Sequence, residues 1–189
     1  MNRREAIQRV AFLVGGSVIG ANLFLEGCTR SASKDVAALF EKESTDLLGD
    51  LAEAILPKTS TPGAKEAGVG EFIPVMIRDC YTVEDQKAFL DGFSKVDERA
   101  NKEFGKKFQE LSKEQQLQFV NTYDKEAQEY QKNKKDGDAN HFFNMFKQLT
   151  LTGFFTSEVG MTKALRFVKV PGKFDGNYPY KKGDRAFSA

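Results

Sequence analysis

Tryptophan is absent from this chain, histidine occurs once, at His141, and cysteine twice, at Cys28 and Cys80. One histidine and two distant thiols cannot assemble a metal or haem site of the histidine and cysteine kind, and neither CxxC nor CxxCH occurs. A carboxylate di-metal bundle needs Glu-x-x-His on two helices, and no glutamate stands three residues before His141. GxGxxG, GxxxxGK[ST] and GxSxG are all missing, so the chain has no sequence basis for a dinucleotide fold, a P-loop or a nucleophile elbow. Charge of one sign is missing too: the formal net charge is +1, which gives no electrostatic footprint for nucleic acid. The basic cluster Lys132, Lys134, Lys135 is answered at once by Asp136 and Asp138 and reads as a solvated turn.

No apolar run reaches the about 20 residues that an untilted membrane helix needs. The longest, residues 10–25, is broken by Gly15, Gly16, Ser17, Gly20 and Asn22. Arg3, Arg4 and Arg9 precede it, so residues 1–27 read as an export signal rather than part of the fold, with an uncleaved anchor helix as the alternative. Paired Arg3 and Arg4 resemble the address of the bacterial twin-arginine route, which carries folded cargo. Asn2 and Ala6 depart from that pattern and leave the ordinary export route open. The end of the run, LEGC at residues 25–28, resembles a lipobox, which implies cleavage after Gly27, acylation of Cys28 and anchoring to the periplasmic side of the envelope. Each buried CH₂ of an acyl chain contributes about 0.8 kcal/mol, so several chains hold a domain on a membrane. With Cys28 lipidated no internal disulfide is possible, and Cys80 is expected to be a small buried apolar residue or, less favoured, a bridge to another subunit.

Removing residues 1–27 takes away three basic and two acidic residues and leaves a neutral remainder, long enough for one domain. Phenylalanine is abundant, with 17 copies, so the core must lean on it. Residues 28–44 read as a lipidated N-terminus and tether, with TRSASK small and polar. Residues 45–165 read as an all-α domain. Thr45 with Asp46 looks like a helix start, followed by Leu47, Leu48, Leu51, Ala54 and Ile55 at helical spacing and ended by Pro57. Pro62, Gly63, Gly68 and Gly70 organise the following loop. Phe72, Val75, Met76 and Cys80 are expected to share a face of a short helix, with Pro74 in its first turn. Thr82 opens a helix with Val83, Phe89, Leu90, Phe93 and Val96 inward. Glu84 and Asp85 suit the helix dipole there. SKEQ, residues 112–115, is a capping box ahead of Leu117, Phe119, Val120 and Tyr123. A last helix places Phe142, Phe143, Phe146, Leu149 and Phe154 inward, with His141 a boundary residue. Residues 166–189 form an extended tail in which turn formers alternate with Phe167, Phe174, Tyr178, Tyr180 and Phe187, and these rings argue for a tail that lies in a groove.

Two stretches carry a resemblance: LAEAILPKTSTPGAKEAGVGEFI at residues 51–73 and TLTGFFTSEVGMTKALRFVKVPGKFDGNYPYKKGDRAFS at residues 150–188. They resemble the hallmark segments of the gluconate 2-dehydrogenase subunit 3 family. The resemblance implies a small, non-catalytic subunit without a cofactor of its own. Its implied partner is a large FAD-dependent sugar or sugar-acid dehydrogenase of the glucose-methanol-choline type, which it helps to export, stabilise and anchor. A c-type cytochrome, carrying haem c, is implied as a possible further partner. By carry-over Pro57, Pro62, Gly63, Ala64, Gly68 and Gly70 form the first motif loop. Gly153, Phe154, Phe155, Glu158, Gly160, Pro171, Gly172, Asp175, Gly176, Pro179, Tyr180, Gly183 and Arg185 form the tail motif, with Phe187 where Trp is expected. A stand-alone helical envelope lipoprotein that binds a ligand or partner is the competing reading. An enzyme in its own right has the least support, because the carboxylates show no evident catalytic arrangement.

Overall fold

The computed structural model describes residues 34–170 and 172–188. The expectations placed on residues 1–33, including Arg3, Arg4 and Cys28, and on Pro171 lie outside the described residues. The described part is mostly helical, as the periodicity requires, and ends in a non-helical tail.

A 3₁₀ helix, Lys34–Phe40, comes first, with Val36 and Leu39 fully buried on its inner face. The folded body therefore begins well before residue 45, and residues 34–44 are not tether. Helix α1, Lys42–Ile55, starts three residues ahead of Thr45, whose hydroxyl donates to the Lys42 carbonyl at 2.9 Å. Leu48, Leu51 and Ala52 supply its buried stripe. The helix stops at Leu56, since the residue before a proline is pushed out of helical geometry.

Helix α2, Val69–Cys80, turns Val69, Ile73 and Ile77 inward. The expected face was one position out of phase: Val75 and Cys80 are exposed, and Phe72 and Met76 only half-buried. Pro74 is the sixth residue of the helix rather than part of its first turn, so the Gly70 carbonyl receives no helical bond from it. The carbonyls at the other end are satisfied by buried Gln86, whose Nε2 donates to Ile77, Arg78 and Tyr81 at 3.1–3.2 Å.

Helix α3, Val83–Phe93, is capped by the Thr82 hydroxyl, which accepts from the Asp85 amide at 3.2 Å. Asp85 also accepts from the Asn140 amide at 2.7 Å, tying α3 to the approach of the last helix. Val83 points to solvent, 59% exposed, and Val96 belongs to a separate helix, α4, Val96–Phe104, after a break at Ser94 and Lys95. Helix α5, Lys113–Asn133, carries the predicted capping box of Ser112 and Gln115, and buries Phe119, Val120 and Tyr123 while Leu117 stays outside.

Helix α6, Phe142–Thr156, is the hub, in contact with α1, α2, α3 and α5. A helix touched on so many sides must be apolar nearly all round. Phe142, Phe143, Met145, Phe146, Leu149 and Phe154 are all buried. Rings of α3, α5 and α6 meet in a connected aromatic cluster, with Phe89 to Phe142 at 5.1 Å and Tyr123 to Phe143 at 5.6 Å. Each fully buried Phe contributes roughly 1.5–3 kcal/mol, which makes this cluster the main stabilising element in a chain without tryptophan. His141 closes the start of α6, its Nδ1 accepting from the Phe143 amide at 3.2 Å.

Candidate functional site

The first motif loop is built around one carboxylate. Glu53, in the last turn of α1, accepts the backbone N–H of Lys58 at 2.7 Å through Oε1 and that of Lys65 at 2.9 Å through Oε2. A single side chain thus satisfies both sides of the loop. Gly63 passes directly over this carboxylate, and a Cβ there would collide with it. The Ala64 amide returns to the Leu56 carbonyl at 2.9 Å and its methyl is fully buried, which pins the loop to the end of α1. Gly68 has φ 71°, the left-handed geometry that lets the chain reverse into α2.

The second segment is shaped by Ser157. Its Oγ donates to the Phe154 carbonyl at 2.7 Å and accepts from the Gly160 amide at 2.9 Å. Gly160 lies so close to the Phe154 carbonyl that no side chain fits. One wide helical turn, Gly160–Ala164, leads into strand β1, Arg166–Phe167, which pairs in parallel with β2, Phe187–Ser188. The Arg166 amide donates to the Ala186 carbonyl at 2.9 Å, and that of Val168 to Ser188 at 2.8 Å. The Arg166 guanidinium covers the Phe187 ring at 5.0 Å and donates to the Tyr178 hydroxyl at 3.0 Å.

The tail therefore closes on itself instead of lying in a groove of its own domain. Phe174 is 96% exposed and Tyr180 74%, with Phe167, Tyr178 and Phe187 also exposed. The physical reason is that a two-residue strand pair with a long connection has no apolar face large enough to fold onto.

The tertiary structure brings the two segments together. A cleft of about 350 Å³ is lined by Lys58, Thr59, Pro62, Glu66, Lys163 and Arg185, joining the first loop to the last turn of the tail. Lys58 pairs with Glu66 at 2.8 Å, and Lys163 approaches the same carboxylate at 3.8 Å. The neighbouring Lys58 ammonium holds the Glu66 carboxyl below its ordinary range. A second cleft, about 450 Å³, adjoins it through Thr162 and Arg185 and is walled by Arg166, Phe167 and Asp184. These surfaces are polar and cationic at one end and aromatic at the other, suited to binding.

Of the expected site residues, Pro62, Gly63 and Arg185 belong to this junction, with Pro57 at the exposed start of the loop and Gly68 at its end. Phe155 and Glu158 are exposed beyond α6. Gly172, Asp175, Gly176, Pro179 and Tyr180 lie on the exposed far part of the tail, where the Asp175 carboxylate accepts from the Asn177 amide at 3.1 Å to hold a turn. Phe154 and Gly160 are buried and act by shaping the backbone. Sequence reasoning missed Glu53, Ser157, Lys58 and Lys163. The signal for Glu53 was a glutamate one turn before a proline that ends a helix. His141 and Cys80 stand outside the junction, and among the described residues no cluster of histidine, cysteine and carboxylates could hold a metal ion.

A family model described as gluconate 2-dehydrogenase subunit 3 matches residues 42–172. Neither the comparison with curated proteins nor that with solved structures gave a match.

Proposed function

This chain belongs to the gluconate 2-dehydrogenase subunit 3 family, and on that basis we propose that it is the non-catalytic small subunit of a periplasmic, membrane-associated, FAD-dependent sugar or sugar-acid dehydrogenase. The family match across both the first loop and the start of the tail is the observation that carries this reading. The junction supports it: a rigid loop and an exposed, self-closed aromatic tail form a surface shaped for another protein rather than a catalytic pocket. FAD belongs to the catalytic partner, and a c-type cytochrome is the fitting acceptor of its electrons. Arg3 and Arg4 would direct the pair to the twin-arginine route, and acylated Cys28 would hold it on the membrane.

The test is co-expression of the tagged full chain with the flavin-dependent dehydrogenase of the same cell, followed by affinity purification and a flavin absorbance spectrum. A one-to-one yellow complex is expected, with the flavoprotein absent from the periplasm when Arg3 and Arg4 are both changed to Lys. A colourless single chain, with the flavoprotein exported normally in its absence, would overturn the proposal.

A further inference from the structure

Charge in the mature sequence is neutral in sum but not evenly spread. Between residues 163 and 188 seven lysines and arginines stand against only Asp175 and Asp184, a net +5, so residues 28–162 carry the compensating −5. In most compact proteins such an arrangement would collapse into internal ion pairs. Here it does not: among the described residues the 3.8 Å approach of Lys163 to Glu66 is the one ion pair joining these seven cations to the helical body. Arg185 enters the cleft without a hydrogen bond or ion pair of its own. Asp175 and Asp184 are engaged by backbone amides, at 3.1 Å from Asn177 and 2.8 Å from Lys181, which holds them in local turns.

The same segment holds its largest apolar side chains in solvent. Val170, Phe174 and Tyr180 are each more than two-thirds exposed. The strand pair and the Arg166 stack on Phe187 keep the segment closed, so these rings are presented by a built loop. Exposed aromatics beside unpaired arginine and lysine are the composition of an interface centre and its rim. The cleft is concave and joins the tail to the Glu53-organised loop, which favours a protruding protein surface over a flat membrane.

We propose that the junction of the first loop and the tail docks an acidic, apolar-centred surface of the catalytic dehydrogenase subunit, with Lys58, Lys163 and Arg185 meeting its carboxylates and Phe174 and Tyr180 entering its apolar centre. This rests on the function proposed above. Like-charge steering by a +5 segment speeds encounter with an acidic partner and makes association sensitive to salt.

The experiment measures the dissociation constant of the purified pair against salt concentration, for the full wild-type chain and for two double variants. Lys58→Glu with Arg185→Glu reverses charge in the cleft, and Phe174→Ser with Tyr180→Ser removes the rings. All four side chains are exposed or line an open cleft, so thermal melting should be unchanged and serves as the folding control. Expected are weakening of tenfold or more for each variant and a shallower salt dependence for the charge-reversed one alone. A wild-type pair that forms but ignores both variants overturns this inference and leaves the function proposed above standing. Failure of the wild-type pair to form overturns both. Full-chain binding to vesicles containing phosphatidylglycerol, measured on the Cys28→Ser background, gives the remaining arm. Vesicle binding lost on charge reversal, with pair affinity intact, would assign the segment to an anionic membrane and overturn the protein-docking inference.

Discussion

Glu53 shows how one side chain can define a motif whose visible hallmarks are prolines and glycines. Its two oxygens take the amides of Lys58 and Lys65, and Gly63 is small because it crosses that carboxylate. Hydrogen bonds to a charged acceptor are each worth roughly 1.5–3 kcal/mol, so Glu53→Ala should lower stability by about 2–3 kcal/mol in urea unfolding. Glu53→Gln should cost less, because one amide can still be met by the side-chain carbonyl. His141 offers a second test. Burial holds its imidazole below the ordinary value of 6.5, with Glu126 opposing the shift and Arg99 reinforcing it. The unfolded chain then takes up a proton at a higher pH than the folded one, so the stability His141 contributes is complete above about pH 6.5 and is lost as pH falls through the window below it. Protonation would also remove the Nδ1 acceptor that caps Phe143. As the chain has one histidine, its imidazole titration by NMR should show a single midpoint below 6.5, and the acid-side loss of stability should shrink in His141→Asn.

At the scale of elements, the site is positioned by the crossing of α1 and α2. Gly49 and Gly70 are both buried, and a Cβ on Gly70 would strike the Thr45 carbonyl and the Gly49 backbone. Since backbone cannot yield as a side-chain tip can, Gly70→Ala should cost roughly 1–3 kcal/mol. Susceptibility of residues 57–68 to limited proteolysis should rise with it, because the loop spans the same two helices. An unchanged melting temperature would show that α1 and α2 can separate freely. Helix starts were legible because caps are local chemistry: Thr82, Ser112 and His141 all sit where their side chains meet the first free amides. Helix faces were less legible. The exposure of Val83, Leu117 and Cys80 and the half-burial of Met76 depend on which neighbour covers each face, and the break at Ser94 separates two segments with similar periodicity.

For the whole molecule, a helical body and a closed tail divide the work of folding and contact. The buried apolar core ends with Phe154, and the tail's rings lie outside it. Ending the chain after Leu165 should therefore leave the thermal midpoint within a few degrees of the full protein while abolishing association with the catalytic subunit. A large drop in the midpoint would mean that the tail stabilises the body directly.

The amino-acid order by itself determined the helical class, the capped helix starts, the phenylalanine core on α6 and the two segments that mark the family, because periodicity, capping and backbone-specialist residues act within a few positions of one another. Only the tertiary structure decided that residues 34–44 join the core, that Glu53 governs the loop, that the tail closes through β1 and β2 rather than settling in a groove, and that Arg185 meets Lys58 across more than a hundred residues of chain. Those outcomes depend on which surfaces remain uncovered once the helices have packed, and no local pattern carries that information.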